Sequence, residues 1–109
     1  MLLEGVLGEI RMFAMDEIPD NWLPCDGRIL NIRDNPALFS LLGEMYGGDA
    51  RTTFGIPDLR ARVPISVSYE REQGSRPAAA SAKGNSADQP FLALNFCICA
   101  TYGWFPPRQ

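Results

Sequence analysis

Histidine is absent from the 109-residue sequence, lysine occurs only at Lys83, and cysteine occurs only three times. Without histidine, the chain lacks the side chain that most often transfers protons near neutral pH, and it has neither a Cys-His nor a Ser-His nucleophile pair. The cysteines have no CxxC spacing, so a zinc site built from cysteine alone would lack a fourth ligand. Carboxylates are scattered, with no spacing typical of a glycosidase. We therefore expect no enzymatic activity, no metal and no cofactor.

Positive charge is also scarce. Lys and Arg together number 10 against 13 Asp and Glu, which gives a net charge of −3. A nucleic-acid surface needs a clustered excess of basic residues, and none is present. No apolar run approaches the ~20 residues of a membrane-spanning helix. Residues 1–17 carry Glu4 and Glu9 early and lack a basic region ahead of an apolar one, so we expect no Sec-type signal peptide, no membrane insertion and no nucleic-acid partner.

Apolar residues make up 46% of the chain, enough for one domain with a single modest core. Apolar and other side chains alternate over residues 8–14 (GEIRMFA), which predicts a half-buried strand. Asp26-Gly27 is a two-residue hairpin signal between short apolar runs. Pro24 precedes it and favours an edge strand or a bulge, because proline has no N–H to donate.

One helix is predicted, over residues 36–46. Its apolar stripe follows the spacing i, i+3, i+4, i+7 and consists of Leu38, Leu41, Leu42 and Met45. Asp34 or Asn35 can cap its start, and Gly47-Gly48 can end it. A further strand is predicted over residues 63–69, where Val63, Ile65, Val67 and Tyr69 share one face. The pattern as a whole is typical of a mainly β fold with one short α-helix, in the α+β class.

The composition changes at residue 71 and again at residue 89. Residues 71–88 are rich in Ala, Ser and Gly without periodicity, which predicts a flexible linker or a long exposed loop. Residues 89–109 contain a long β-prone strand with Phe96, Ile98, Ala100 and Tyr102 on one face. The expected organisation is a core over residues 1–70, the linker, and a C-terminal strand that completes the fold of its own or a neighbouring subunit.

The stretch RTTFGIPDLRARVP, residues 51–64, resembles the phage tail collar domain family, which includes the microcystin-dependent proteins of bacteria. The blocks GEIRMFA, WLPCDGRIL, NPALFSLLGEMYGGD and PFLALNFCICATYGWFPPRQ agree in order, so the resemblance covers residues 8–67 and 89–108. It implies a small domain with long irregular loops that is a multimeric, structural part of phage tails or related surface appendages. The family pattern usually carries a glycine-rich segment and paired histidines where this chain has residues 71–88. The chain thus resembles a short form without that insert.

Arg51, Arg60 and Arg62 allow two interpretations. They could form a cradle for an anion, or they could pair with Asp58, Asp49 and nearby carbonyl groups to fix an irregular loop. In an extended chain Asp58, Arg60 and Arg62 share one face, and this spacing favours the second interpretation. We therefore predict a structural clasp of Asp58, Arg60, Arg62 and Arg51.

The three cysteines also allow two interpretations. Buried, reduced thiols are one. The other is a disulfide from Cys97 or Cys99, either to Cys25 or to a neighbouring subunit. A bond between Cys97 and Cys99 is awkward, because alternate residues of a strand have Cα atoms ~6.6 Å apart.

The apolar C-terminal strand suggests how the protein works. We expect a structural subunit that self-assembles into a phage tail component or a tail-derived extracellular filament, with exchange of the C-terminal strand as the route. The predicted interface consists of Phe91, Leu92, Leu94, Phe96, Ile98, Tyr102, Trp104 and Phe105. Its partners would be copies of itself and other tail proteins, in the virion tail or at the cell surface. The alternative is an adhesin domain at a tail tip that binds a receptor or a cell-surface glycan through Trp and Arg side chains.

Overall fold

A computed structural model of the chain describes residues 1–69, 71–75 and 90–107. The described part contains one helix and five strands: β1 (Ile10–Phe13), β2 (Trp22–Pro24), β3 (Ile29–Asn31), α1 (Pro36–Leu42), β4 (Thr53–Gly55) and β5 (Asn95–Cys99). The predicted mainly β fold with one short helix is therefore confirmed. Most of the predicted linker, residues 71–88, lies outside the described residues.

β5 lies at the centre of a three-stranded antiparallel sheet, between β1 and β2. Ile98 pairs with Ile10 on one side and with Leu23 on the other. The C-terminal strand thus completes the sheet of its own chain. β2 is an edge strand, as Pro24 predicts, because a residue without an N–H is tolerated at the edge of a sheet.

Side chains on the two faces of β5 enter two different apolar clusters. Ile98 and Ala100 belong to the larger cluster, whose other buried members are Leu7, Cys25, Leu38, Phe54 and Ile56. Cys97 and Cys99 belong to the smaller one, with Phe13 and Trp22. Alternation along the C-terminal strand is therefore confirmed up to Ala100. Tyr102 departs from it, because its φ of +53° turns the chain and leaves its side chain exposed.

β1 is confirmed as a half-buried strand, and Phe13 is its buried residue. The ring of Phe13 meets the ring of Trp22 edge to face, with centroids 5.3 Å apart. Arg11 shares that face, and its guanidinium lies 4.8 Å from the centroid of the Trp22 ring. Ile10 and Met12, on the opposite face, remain exposed.

α1 is shorter than predicted. It begins at Pro36 with Asn35 at the N-cap position, and it ends at Leu42 rather than near residue 46. The cause is Gly43, which adopts a φ of +59° and donates its N–H to the carbonyl of Phe39 at 2.8 Å. A positive φ is accessible to glycine because it has no Cβ, and it turns the chain away from the helix. Leu38 is fully buried and anchors the helix in the core.

The predicted hairpin at Asp26-Gly27 is wrong. β2 pairs with β5, whereas β3 pairs with β4, so the turn connects two different sheets. Gly27 does have the positive φ, +76°, that the turn signal implies. The chain diverges because Cys25 is engaged elsewhere: its N–H donates to Phe96 and its carbonyl accepts from Leu59.

The predicted strand over residues 63–69 is also wrong. Residues 63–67 form no strand and make no backbone–backbone hydrogen bond to another described residue. Val63, Ile65, Val67 and Tyr69 are all exposed. A strand needs a partner for its backbone groups, and the described part of this chain supplies none here.

Candidate functional site

The two ends of the described chain run side by side. Val6 and Trp104 form an isolated parallel bridge. Leu7 donates its N–H to the Trp104 carbonyl at 2.7 Å, and Trp104 donates its own to the Gly5 carbonyl at 2.9 Å. The Trp104 indole N–H also donates to Glu4 Oε2 at 2.8 Å. The segment that follows β5 is therefore held against the N-terminal residues of the same chain.

Asn21 connects these two ends, and the sequence analysis missed it. The residue is only 1% exposed. Its side-chain amide donates to the Leu3 carbonyl at 2.8 Å and accepts from the Leu3 N–H at 2.9 Å. Its own carbonyl accepts from Ala100 at 2.9 Å. A buried polar group is stable only when it is hydrogen-bonded, and here the bonds fasten the N-terminal segment to the end of β5.

The first arginine clasp joins Asp58 and Arg60. The Arg60 guanidinium donates Nε and Nη2 to the two carboxylate oxygens of Asp58, each at 2.9 Å, and the Arg60 backbone N–H donates to the same carboxylate. Arg62 lies further away, with Nη1 3.9 Å from Asp58 Oδ2. Asp58 and Arg60 thus form a forked pair, the strong geometry for this combination, and Arg62 adds charge beside it.

Two more pairs repeat the same acid–x–Arg spacing. Arg28 donates Nε and Nη2 to the two carboxylate oxygens of Asp26, at 3.0 and 2.9 Å. Arg11 likewise donates Nε and Nη2 to the two carboxylate oxygens of Glu9. The sequence analysis identified only the pair after β4. The other two carry the same signal, an acidic residue two positions before an arginine. The spacing is not sufficient by itself, because Asp49 and Arg51 share it and form no ion pair with each other.

The clasps fix the charge state of their carboxylates. The guanidinium of Arg60 lowers the pKa of Asp58 well below its usual range, and Arg28 and Arg11 lower the pKa values of Asp26 and Glu9. Such carboxylates stay ionised near neutral pH, so they are poorly suited to exchanging protons as general acids or bases.

Arg51 stands apart from the clasps. Its backbone N–H donates to Asp49 Oδ1 at 2.8 Å, and its guanidinium forms no ion pair with any described residue. Asp49 also accepts from the backbone of Thr52 and Thr53, which lowers its pKa well below the usual range. This turn leads the chain into β4.

All three cysteines are buried and unbonded. Burial raises the pKa of the Cys25 thiol to about 12 and also raises the pKa values of Cys97 and Cys99. The thiolate is the reactive form, so these thiols are weak nucleophiles in the folded chain. The disulfide alternative stays a prediction. A bond to a neighbouring subunit requires that a buried sulfur become accessible, and a bond to Cys25 requires that sulfurs from two different clusters come together.

The predicted interface residues divide into two groups. Six are exposed: Phe91, Leu92, Leu94, Tyr102, Trp104 and Phe105. The other two lie differently, since Ile98 is buried in the larger cluster and Phe96 packs against it. Ile98 and Phe96 stabilise the chain's own core in this arrangement. Tyr102 and Trp104 line an open groove of about 530 Å³ whose other walls are Leu2, Leu3, Glu4, Asn21 and Gly103.

Within residues 1–69, 71–75 and 90–107, no three His, Cys, Asp or Glu side chains come together as a metal site. In the same part of the chain, no helix has the length and apolar character needed to cross a bilayer.

The sequence matches a known protein family. The sequence model of the phage tail collar domain matches residues 8–64, which is more than half of the chain. The matched range includes β1 to β4, α1 and all three clasps. No curated protein matched the sequence.

Proposed function

The chain belongs to the phage tail collar domain family, and from this premise we propose that it is a non-enzymatic structural subunit that assembles with copies of itself. Membership indicates a structural role in the phage tail and association with other tail components. The finer part of the proposal is the mode of assembly, in which copies form a tail component or a tail-derived extracellular filament.

The observation that carries this proposal is the amount of exposed apolar surface. Eighteen large apolar side chains are exposed among the residues that the structure describes, including Phe91, Leu92, Trp104 and Phe105. Single exposed apolar residues are normal, whereas a large apolar patch marks an interaction surface. Six of the exposed side chains lie within residues 91–105, so they are concentrated along the sequence around β5. Fully burying one exposed Leu or Phe side chain contributes roughly 1.5–3 kcal/mol. Association costs rotational and translational freedom, so a contact between copies would have to bury several of these side chains together.

Exchange of the C-terminal strand is one route to this assembly. β5 pairs with β1 and β2 of its own chain over residues 95–99. In an exchanged assembly, β5 of one copy would occupy the same position in the next copy and make the same pairs. Exchange would therefore change the connectivity while preserving the core contacts, including those of Ile98 and Phe96.

The arginine clasps serve the same structural role in this proposal. Both carboxylate oxygens of Asp58 are engaged by the guanidinium of Arg60, and the same holds for Asp26 and Arg28. A guanidinium already matched to a carboxylate has less charge to offer a further anion. The geometry therefore favours loops held in shape over an anion-binding cradle.

The test is the mass of the purified full-length protein by light scattering after size exclusion, together with electron microscopy. We expect species heavier than the 12.1 kDa chain, and rings or filaments on the grid. A sharp monomer peak throughout the micromolar range, with no particles, contradicts self-assembly.

A second candidate function is recognition of a cell-surface glycan. The groove beside Tyr102 and Trp104 favours it, because exposed aromatic rings beside polar groups such as Glu4 can pack against sugar rings. A glycan array tests this directly. Retention that disappears in Trp104→Ala supports the adhesin alternative, and an array without retained ligand speaks against it.

A further inference from the structure

The geometry points to a specific contact between copies: we propose that residues 63–67 (VPISV) pair with the same residues of a second copy, antiparallel and with Ile65 on the two-fold axis. This inference deepens the self-assembly proposed above and rests on it. It is independent of exchange of β5. It also accounts for a segment whose sequence predicts a strand although the single chain forms none.

The backbone N–H and C=O groups of residues 63–67 have hydrogen-bonding capacity that the described part of the chain does not use. Residues 63–67 make no backbone–backbone hydrogen bond to any other described residue. At the same time Val63, Ile65 and Val67 are 81%, 67% and 57% exposed. β-branched residues that alternate with others favour a strand, and a strand with free backbone groups is a template for another one.

Only one edge of the segment has a complete set of backbone N–H donors. In a strand, the backbone groups of alternate residues point to the same side. Pro64 removes a donor from one side. On that same side Ser68 is already paired, since its N–H donates to the Arg71 carbonyl at 2.9 Å and its carbonyl accepts from Arg71 at 3.1 Å. The opposite side, formed by residues 63, 65 and 67, is complete.

The segment is also self-complementary. The residues on the complete edge read Val-Ile-Val in both directions. Antiparallel pairing about Ile65 places isoleucine opposite isoleucine and valine opposite valine, so apolar side chains line one face of the new pair. Arg62 then lies opposite Ser68 of the second copy, which avoids a contact between like charges. A second copy therefore fits this edge better than an unrelated strand.

The area available indicates a weak contact. The three aliphatic side chains and Tyr69 together present roughly 300–600 Å² per copy, taking about 60–120 Å² for each aliphatic and about 150–250 Å² for the aromatic. A stable interface covers about 800 Å² per partner. We therefore expect a dimer that dissociates on dilution when this is the sole contact between copies. The dimer becomes stable when other contacts between copies add to it.

The experiment uses two proline variants of the full-length protein. Ile65→Pro removes an N–H from the proposed pairing edge, and the loss occurs twice because of the two-fold axis. Ser66→Pro is the matched control, because it removes an N–H from the opposite edge, next to Pro64. Both positions lie outside the described core, so neither variant should unfold the domain. Masses are measured by light scattering from ~1 µM to ~1 mM, the range of weak dissociation constants.

We expect Ile65→Pro to weaken association by at least about tenfold and Ser66→Pro to leave it within about twofold of the original protein. Amide hydrogen exchange supplies the second readout. Protection of Val63, Ile65 and Val67 should rise with concentration, while Ser66 stays exchangeable. If both variants associate less, this exchange pattern decides: selective protection supports the pairing, and equal protection of Ser66 overturns it.

Three other results overturn the inference. If the original protein and Ile65→Pro associate equally, copies meet elsewhere and self-assembly itself stands. If the amides of residues 63, 65 and 67 are protected at every concentration, the segment is paired within its own chain. If the original protein is monomeric up to ~1 mM, the pairing and the proposed self-assembly fail together.

Discussion

Asp26 and Asp58 face each other in an isolated antiparallel bridge, and each holds the arginine two residues further along the chain. The bridge joins the turn after β2 to the segment after β4, so two clasps meet where the two sheets adjoin. Each carboxylate is balanced by its own guanidinium, and the pKa of Arg60 is raised chiefly by Asp58 and to a smaller extent by Asp26. Two acidic side chains can therefore lie close together without net repulsion.

This arrangement predicts a loss of stability in acid. The folded pKa values of Asp58 and Asp26 are lowered, so both carboxylates stabilise the fold above the unfolded pKa of about 4, and this contribution is lost as the pH falls through the folded values. Melting temperatures measured from pH 7 to pH 2 should be flat at first and then decrease below about pH 4.

Asp58→Asn should lower the melting temperature at pH 7 and flatten that acid decrease. Asp34→Asn is the matched control, since Asp34 forms no ion pair with any described residue. If both variants showed the same pH profile, the clasp would not be the source of the acid dependence.

Gly27 is the middle residue of the Asp26–Arg28 clasp, and alanine at this position should destabilise the fold. Its φ is +76°, and a Cβ at this position would lie 3.0 Å from the Cβ of Asp58. Gly27→Ala therefore combines backbone strain of about 1–2 kcal/mol with a steric conflict. Gly8→Ala is the comparison, because Gly8 also has a positive φ, +86°, and a Cβ there would make only an ordinary contact, 3.6 Å from Leu41 Cδ1. Denaturant unfolding should show a larger loss for Gly27→Ala, and equal losses would contradict the close approach.

Asn21 should be a stability residue although it lies in no active site. Asn21→Ala leaves the N–H of Leu3 without its side-chain acceptor and removes one donor to the Leu3 carbonyl. We expect the free energy of unfolding to decrease by about 1–3 kcal/mol, the cost of leaving buried polar groups unpaired. The exposed Asn31, changed to Ala in the same way, should cost clearly less. Similar losses at both positions would mean that the ends of the chain are not fastened by Asn21.

The cysteines should resist modification in the folded protein. Cys25 has a pKa of about 12 and all three thiols are buried, so labelling by iodoacetamide at pH 8 should be slow. Unfolding in denaturant should make all three react quickly. A non-reducing gel of oxidised protein should show monomer alone. A covalent dimer, or fast labelling of native protein, would favour the disulfide alternative.

Local patterns in the sequence were sufficient for features that depend on neighbouring residues. Period-two alternation identified β1 and β5, and Pro24 indicated an edge strand. The hairpin predicted at Asp26-Gly27 is wrong, because the same turn residues occur both in hairpins and in connections between two sheets. The helix ended early at Gly43, although Gly47 and Gly48 offer the same signal.

Long-range contacts left no comparable signal. The pairing of Leu7 with Trp104 and the bonds of Asn21 join residues from opposite ends of the chain, and the local pattern at either end does not show which residues pair. The repeated acid–x–Arg spacing was visible in the sequence. What it could not show was that the turn at Asp26 would meet the segment at Asp58, since that depends on how the two sheets adjoin.

The final prediction separates folding from assembly. Leu92 is 81% exposed and belongs to the surface that we propose copies share, whereas Leu38 is fully buried in the core. Leu92→Ser should leave the melting temperature nearly unchanged, since exposed substitutions usually alter stability by less than about 0.5 kcal/mol. It should nevertheless reduce the mass measured by light scattering, because an apolar contact between copies is lost. Leu38→Ala should instead lower the free energy of unfolding by about 2–5 kcal/mol, because it leaves a cavity in the core. As long as this variant is folded, its mass by light scattering should match that of the original protein. If Leu92→Ser assembled as readily as the original protein, this part of the apolar surface would lie outside the interface. If it unfolded the chain, the C-terminal segment would belong to the core, and its exposure could no longer be taken as a sign of assembly.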